Sequence, residues 1–253
     1  INILKNVSLI ACEDTRQTKK IMSKFDFTNN LISFNKHNSI QKIPKIINDL
    51  NSGKSIALVS DAGMPSICDP GEDLVKKSKI SGITIICIPG PCAATTALVS
   101  SGFHSSRFTF EGFLPKKSSE REKILLEISK NVKTTIIFES PHRIRKLINE
   151  LKEYCGGERE IQVYRELTKK FEQHIGNNIN DVIEFFKGKE ILGEITVVIK
   201  GIKDKSMGKS GFNSFELKQE LHELTKLGLS LSAASKYLAK KTNLPKSSIY
   251  NLY

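Results

Sequence analysis

The sequence predicts an α/β protein of two α/β domains followed by a small C-terminal helical module. Three observations predict it. Apolar runs of strand length alternate with amphipathic helical stretches up to residue 201. Several of those runs end in loops dense in Gly, Pro and acidic residues. A Lys-, Gly- and Ser-rich stretch then separates this body from a helical, basic tail. At 253 residues the chain is long enough for this layout.

In order, Ile1, Leu4 and Val7 to Ile10 read as the tail of an amphipathic helix running into a strand over Ser8 to Cys12. A helix follows over Thr15 to Lys24, a strand over Leu31 to Phe34, and a helix over Ile40 to Ser52. A buried strand at Ile56 to Ser60, a helix around Glu72 to Lys79, a strand at Thr84 to Ile88 and a helix over Ala93 to Ser100 complete a first domain, residues 1–110, with a mainly parallel sheet. Phe108 to Leu114 reads as a crossing segment that ends at Pro115. The second domain, 111–201, has helices at Ser118 to Ser129, Pro141 to Lys152 and Ile179 to Phe186. Its strands are Thr134 to Phe138, Glu160 to Glu166 and Glu194 to Ile199, and Ser118, Ser119 and Glu122 mark a helix start. Residues 202–213 form a linker. The module, 214–253, has three short helices with Gly228 and Pro245 as punctuation, either a helix-turn-helix unit or a dimerisation or docking bundle.

Composition narrows the function. Thirty-nine Lys and Arg against 27 Asp and Glu give a net charge of +12. That favours a polyanionic partner, although solvated lysines would give the same count. No apolar stretch is long enough to span a bilayer, and no signal-peptide pattern opens the chain, so the expected compartment is the cytoplasm. Five Cys without CxxC spacing and five scattered His give neither a disulfide framework nor a metal site.

Chemistry concentrates in loops that follow strands, where ligands bind in open α/β sheets. VSDAGMPSICDPG, Val59 to Gly71, combines Asp61 and Asp69 with two Gly and two Pro, and lacks the Lys-Ser/Thr of a triphosphate loop. It reads as a ligand loop or as a rigid turn. IPGPCAATTAL, Ile88 to Leu98, places small residues where a planar group can lie against the backbone, or where a helix packs closely. Polar clusters occur in ACEDTRQTKK, FNKHNS, FESPHRI and YRELTKKFE. Each alone reads as a cap or surface ion pair, but together they point to a cleft between the domains.

These motifs, with FEGFLPKK and GEITVVIKG and in this order, resemble the small-subunit rRNA methyltransferase I family of the tetrapyrrole methylase superfamily. The resemblance runs almost continuously over 1–201 and extends to the helical tail. It implies the tetrapyrrole methylase fold, with S-adenosylmethionine held between two domains, and a homodimer without metal. The implied reaction is methylation of the ribose 2′-hydroxyl of a cytidine in the decoding region of 16S rRNA. Carried over residue by residue, the cofactor contacts are Asp61, Met64, Cys92, Ala93, Ser140 and Gly176. The family generally has Thr at Met64 and Ser at Cys68 and Cys92, mild changes for loops that act through their backbone. The family also begins with a further strand and a Pro-Ile-Gly-Asn loop that has no counterpart here, so an incomplete sheet edge and cofactor pocket are expected, while the expected protein remains an S-adenosylmethionine-dependent methyltransferase.

A ribose hydroxyl is a poor nucleophile while protonated, so a base or a cation near it should help. His37, Glu139, His142 and Glu166 are the candidate bases. Glu139 and His142 rank first because they share a strand-end loop with Ser140. Lys36, Arg143 and Arg165 are candidate phosphate or oxyanion contacts, and Arg16, Lys116, Lys117 and Lys169 could track the RNA backbone. Competing readings are methylation of a tetrapyrrole or a protein side chain, a catalytically silent rRNA-binding assembly factor and a DNA-binding regulator.

Overall fold

A computed structural model describes residues 1–203, 214–242 and 244–253. The Gly/Ser/Lys-rich stretch expected as a linker falls, from 204 to 213, outside the described residues.

The chain opens with a short helix, α1 (Asn2–Asn6), that buries none of its residues. Strand β1 (Leu9–Cys12) follows, then helix α2 (Thr15–Lys24), β2 (Leu31–Ser33), α3 (Ser39–Asn51), β3 (Ile56–Val59) and α4 (Glu72–Ile80). The strands pair in parallel in the order β2-β1-β3. Ile10, Ala11 and Cys12 on the central strand are fully buried, as expected for a strand covered on both faces. Asp14, two residues beyond β1, caps α2, its Oδ1 accepting from the Arg16 amide at 2.8 Å. Helix α4 carries Glu72 and Asp73 in its first turn and Lys77 and Lys79 in its last, in line with the helix dipole. Phe34, Ile46 and Leu74 pack as the core of this layer.

The strand expected at Thr84 to Ile88 does not form. Those residues pair with no strand among the described residues, β3 is left at a sheet edge, and Ile86 is 78% exposed. Apolar β-branched residues alone do not make a strand, because the ladder needs a neighbour that supplies its hydrogen bonds.

Helix α5 (Ala93–Ser101) crosses over to the second sheet, where Ala94, Ala97 and Leu98 pack on Ile136, Tyr164 and Val198. Its small side chains let the backbone approach closely. The segment expected to be a crossing is instead strand β4 (Phe108–Phe113), paired in parallel with β5 (Thr134–Glu139). Helix α6 (Ser118–Lys130) lies between them. Its N-cap position is Lys117 without a side-chain cap, and Ser118 bonds Glu122 rather than the backbone. Helix α7 (Ile144–Cys155), β6 (Ile161–Arg165), β7 (Gln173–Ile175), α8 (Ile179–Phe186) and β8 (Ile195–Ile199) complete the body. The sheet order is β4-β5-β8-β6-β7, with every pair except β4/β5 antiparallel, so this second sheet is mixed, whereas the first is parallel as expected. Strand β7 was not expected: three residues, two of them exposed, leave little apolar alternation to read.

The tail forms α9 (Ser214–Lys226), α10 (Leu231–Thr242) and α11 (Lys246–Tyr250) around Leu221, Ala234, Leu238 and Ile249. Among the described residues, no helix is long and apolar enough to cross a membrane.

Candidate active site

The carboxyl ends of β1, β3 and β5 and the start of β8 converge on a cleft of about 450 Å³. Asp61, Ala62, Gly63, Met64, Cys68 and Asp69 from the loop after β3 form one wall, and Cys92 and Ala93 lie beside them. Phe113, Phe138, Ser140 and Thr196 form the opposite wall, and Glu13 faces the same space.

Local chemistry fixes this geometry. Asp61 Oδ1 accepts from the Asp14 amide at 3.2 Å, and Glu13 Oε2 accepts from the Asp61 amide at 3.5 Å, so the first two loops hold each other. Ser60 Oγ donates to the Ala62 or Gly63 carbonyl within the turn. Ser66 and Cys68 both take positive φ, 70° and 65°, a conformation costly for side chains with a Cβ and typical of built sites. On the facing strand, Gly112 takes φ 59° at the register shift of β4, and a Cβ there would stand 2.9 Å from Cys68 Sγ. Only glycine lets that strand close on the loop. Burial pushes the Asp69 carboxyl above its ordinary range, with Glu13 adding to the effect and Lys36 opposing it. Burial also raises the Cys68 thiol.

Five of the six expected cofactor residues line the cleft: Asp61, Met64, Cys92, Ala93 and Ser140. Gly176 does not. It follows β7 and packs against Val182 and the Ile161 carbonyl.

The expected bases fare differently. Glu139 reaches the cleft wall, but its side chain is 0% exposed. Its Oε1 accepts from the Ser140 amide at 2.9 Å and lies 3.4 Å from Arg143 Nε, and its Oε2 lies 3.7 Å from Arg121 Nη1. Both carboxylate oxygens are therefore turned to the protein's own Ser140 amide and guanidinium groups. His37 and His142 are exposed and do not line the cleft. Glu166 stands behind the wall, where its Oε1 accepts from the Glu194 amide and from Lys169 Nζ, both at 2.9 Å. Those contacts, the lysine first, hold its carboxyl below the ordinary range.

Several expected RNA contacts are engaged within the protein. Arg143 donates to the Leu114 carbonyl at 2.7 Å, and Arg165 bonds Gln173, Leu192 and Phe171. Lys169 bridges Glu166 and Glu194, Arg16 pairs with Asp14, and Lys117 pairs with Glu120. Lys36 and Lys116 are exposed, and Lys36 lies near Asp69. Sequence reasoning placed Asp69 in the candidate ligand loop without giving it a role, and missed Phe113 and Glu194 as cleft residues. The Asp-Pro-Gly that closes the long loop was a usable signal for Asp69, whereas a bulged strand gives none for Phe113.

Among the described residues, no group of three or more His, Cys, Asp or Glu could hold a metal ion.

Comparison with known proteins agrees with this architecture. Residues 1–183 match the family model of the tetrapyrrole (corrin/porphyrin) methylases. The ribosomal RNA small subunit methyltransferase I of Synechocystis sp. is 38% identical over 252 residues, covering 100% of this chain and 90% of the relative. The Bacillus subtilis protein of the same name is 38% identical over 255 residues, covering 100% of this chain and 87% of that one. In structure, the chain is similar to the uroporphyrin-III C-methyltransferase of Thermus thermophilus, solved with S-adenosyl homocysteine. The TM-score is 0.54 at 14% identity, over 78% of this chain and 87% of that one. At that identity the likeness speaks for the fold, and the full-length relatives speak for the family. This chain belongs to the tetrapyrrole methylases and, within them, to the ribosomal RNA small subunit methyltransferase I family.

Proposed function

We propose that this chain methylates the ribose 2′-hydroxyl of a cytidine in the decoding region of 16S rRNA with S-adenosylmethionine as donor. The observation that carries the reading is the cleft itself, walled on one side by the Asp61–Asp69 loop and on the other by Phe138 and Ser140.

The residues present fit the donor. A space of about 450 Å³ is within the range of small-molecule sites. Ala62, Gly63 and Ala93 leave backbone open to a flat ring, and Phe113 and Phe138, with ring centroids 5.9 Å apart, supply apolar surface. Glu13, Asp61 and Asp69 supply acceptors for hydroxyl and ammonium groups and favour a cation nearby. When bound, S-adenosylmethionine supplies an electrophilic methyl group on a sulfonium sulfur.

The protein's part is alignment, exclusion of water and handling of one proton. The two loops locked by the Asp14–Asp61 and Glu13–Asp61 contacts provide a rigid wall, and alignment of donor and acceptor can supply a large share of the rate gain in such a displacement. Of the groups on the wall, Asp69 is the assigned proton acceptor for the hydroxyl, since burial raises its proton affinity while it still faces the cleft. Exposed Lys36 is assigned to a phosphate flanking the acceptor. The homodimer rests on the family resemblance and is tested by light scattering of the purified chain.

The test is methyl transfer from labelled S-adenosylmethionine to 30S subunits, to free 16S rRNA and to a porphyrin, with the modified nucleotide read by mass spectrometry. A 2′-O-methylcytidine in the rRNA supports the reading. Label on the porphyrin alone overturns it.

A further inference from the structure

Strands β6 and β7 form a hairpin in which Arg165 faces Gln173, leaving residues 166–172 as a loop beside the cleft. This loop is braced to an unusual degree. Thr168 N donates to Glu172 Oε2 at 2.6 Å, Glu172 Oε1 pairs with His174 Nε2 at 2.7 Å, and Lys169 N donates to the Glu166 carbonyl at 2.9 Å. Arg165 ties the loop from below, through Nη2 to the Phe171 carbonyl at 3.3 Å and Nη1 to the Leu192 carbonyl at 2.9 Å. Glu166 and Thr168 are held at φ 53° and 67°. The loop is also fixed to the cleft wall, because Gly193 and Glu194 line the cleft while the Glu194 amide and carboxylate bond Glu166 and Lys169. Gly193 is needed for this approach: a Cβ there would stand 2.5 Å from Glu166 Oε1.

All this bracing presents one large apolar side chain to solvent. Phe171 is 64% exposed, with the Lys170 ammonium 5.6 Å from its ring centroid. A lone exposed apolar residue carries little meaning, but one held on a strained loop braced by several hydrogen bonds at a cleft rim calls for a partner. A flat ring flanked by a cation matches an unpaired nucleobase and its phosphate, the arrangement by which proteins grip single-stranded RNA. Lys169 is not that cation, since Glu166 and Glu194 neutralise it, whereas Lys170 forms no ion pair among the described residues.

We propose that the 166–172 loop is a stacking platform on which Phe171 holds an unpaired base of the RNA substrate while Lys170 contacts its phosphate. The inference rests on the rRNA reading of the site and names how that substrate is held.

The test uses the full chain as parent, F171A and F171W. Three quantities are read: S-adenosylmethionine affinity by calorimetry, affinity for a single-stranded rRNA oligonucleotide by fluorescence anisotropy, and methylation of 30S subunits. Loss of one stacked base should weaken oligonucleotide binding by F171A about tenfold and raise KM for the subunit, with donor affinity unchanged and F171W close to parent. Oligonucleotide binding by F171A within twofold of parent overturns the platform, as does failure of Trp to restore it. A change in oligomeric state of F171A by light scattering also overturns it and assigns Phe171 to a contact between copies. A parent that binds the oligonucleotide through Phe171 but transfers no methyl contradicts the proposed function and leaves the platform standing.

Discussion

Glu139 and Arg121 form a buried ion pair at 3.7 Å, with side chains 0% and 3% exposed, directly behind the Ser140 wall of the cleft. Arg121 also binds Glu150 at 2.7 Å, and Glu139 holds the Ser140 amide, so one charge network links α6, α7 and the end of β5. Removing one partner of such a pair leaves a charge buried without its counterpart. E139A should cost about 3 kcal/mol of stability in urea unfolding, and E139Q, which keeps the shape and one acceptor, clearly less. Unfolding midpoints equal to the parent's for both variants would contradict this role.

Asp69 gives a prediction in which activity and stability move in opposite directions. Its carboxyl is raised by burial and by Glu13, so its ionised form is disfavoured in the folded chain. The stability this group contributes is present below its unfolded pKa and is lost as pH rises through the raised folded value. D69N should therefore be at least as stable as the parent at neutral pH while kcat falls about 100-fold or more. The parent rate should rise with pH through the same raised value and then level off, and D69N should lose that rise. A D69N enzyme with parental kcat would exclude Asp69 as the proton acceptor.

Asp61 is tied twice to the loop after β1, to the Asp14 amide through Oδ1 and to Glu13 through its own amide. D61A should reduce S-adenosylmethionine affinity about tenfold or more by calorimetry, the size expected for a lost charge-assisted hydrogen bond. Because Asp61 is exposed, its melting temperature should change little. A melting shift without an affinity change would make the residue structural only.

Basic residues that remain exposed, such as Lys36, Lys116 and Lys170, should make RNA binding salt-dependent. Three phosphate contacts on a single strand imply roughly a tenfold or greater loss of affinity between about 50 and about 200 mM salt. Anisotropy titrations at several salt concentrations measure the slope, and a flat plot would remove the electrostatic reading.

Much of the fold was legible in the sequence because its elements have clean periods. Helix α8 runs over Ile179–Phe186 as its apolar spacing predicts, and the five buried residues of β8 can hardly be anything but a covered strand. The misreadings share a cause, which is that strand formation depends on neighbours. Ile83 to Ile88 has strand composition without a partner, while β4 has a glycine and a bulge but pairs with β5. At the site, the loops around Asp61 and Cys92 were legible because their Gly, Pro and small residues have few other uses. The contacts of the candidate bases were not: Glu139 looks the same in sequence whether it faces the cleft or Arg121.

The central claim is that the cleft between the Asp61–Asp69 loop and the Ser140 wall holds the methyl donor. A crystal structure of the full chain with S-adenosyl homocysteine tests it most directly. The account predicts density in that cleft, with the ligand against Asp61, Ala93 and Ser140. An empty cleft with the ligand bound elsewhere would contradict it.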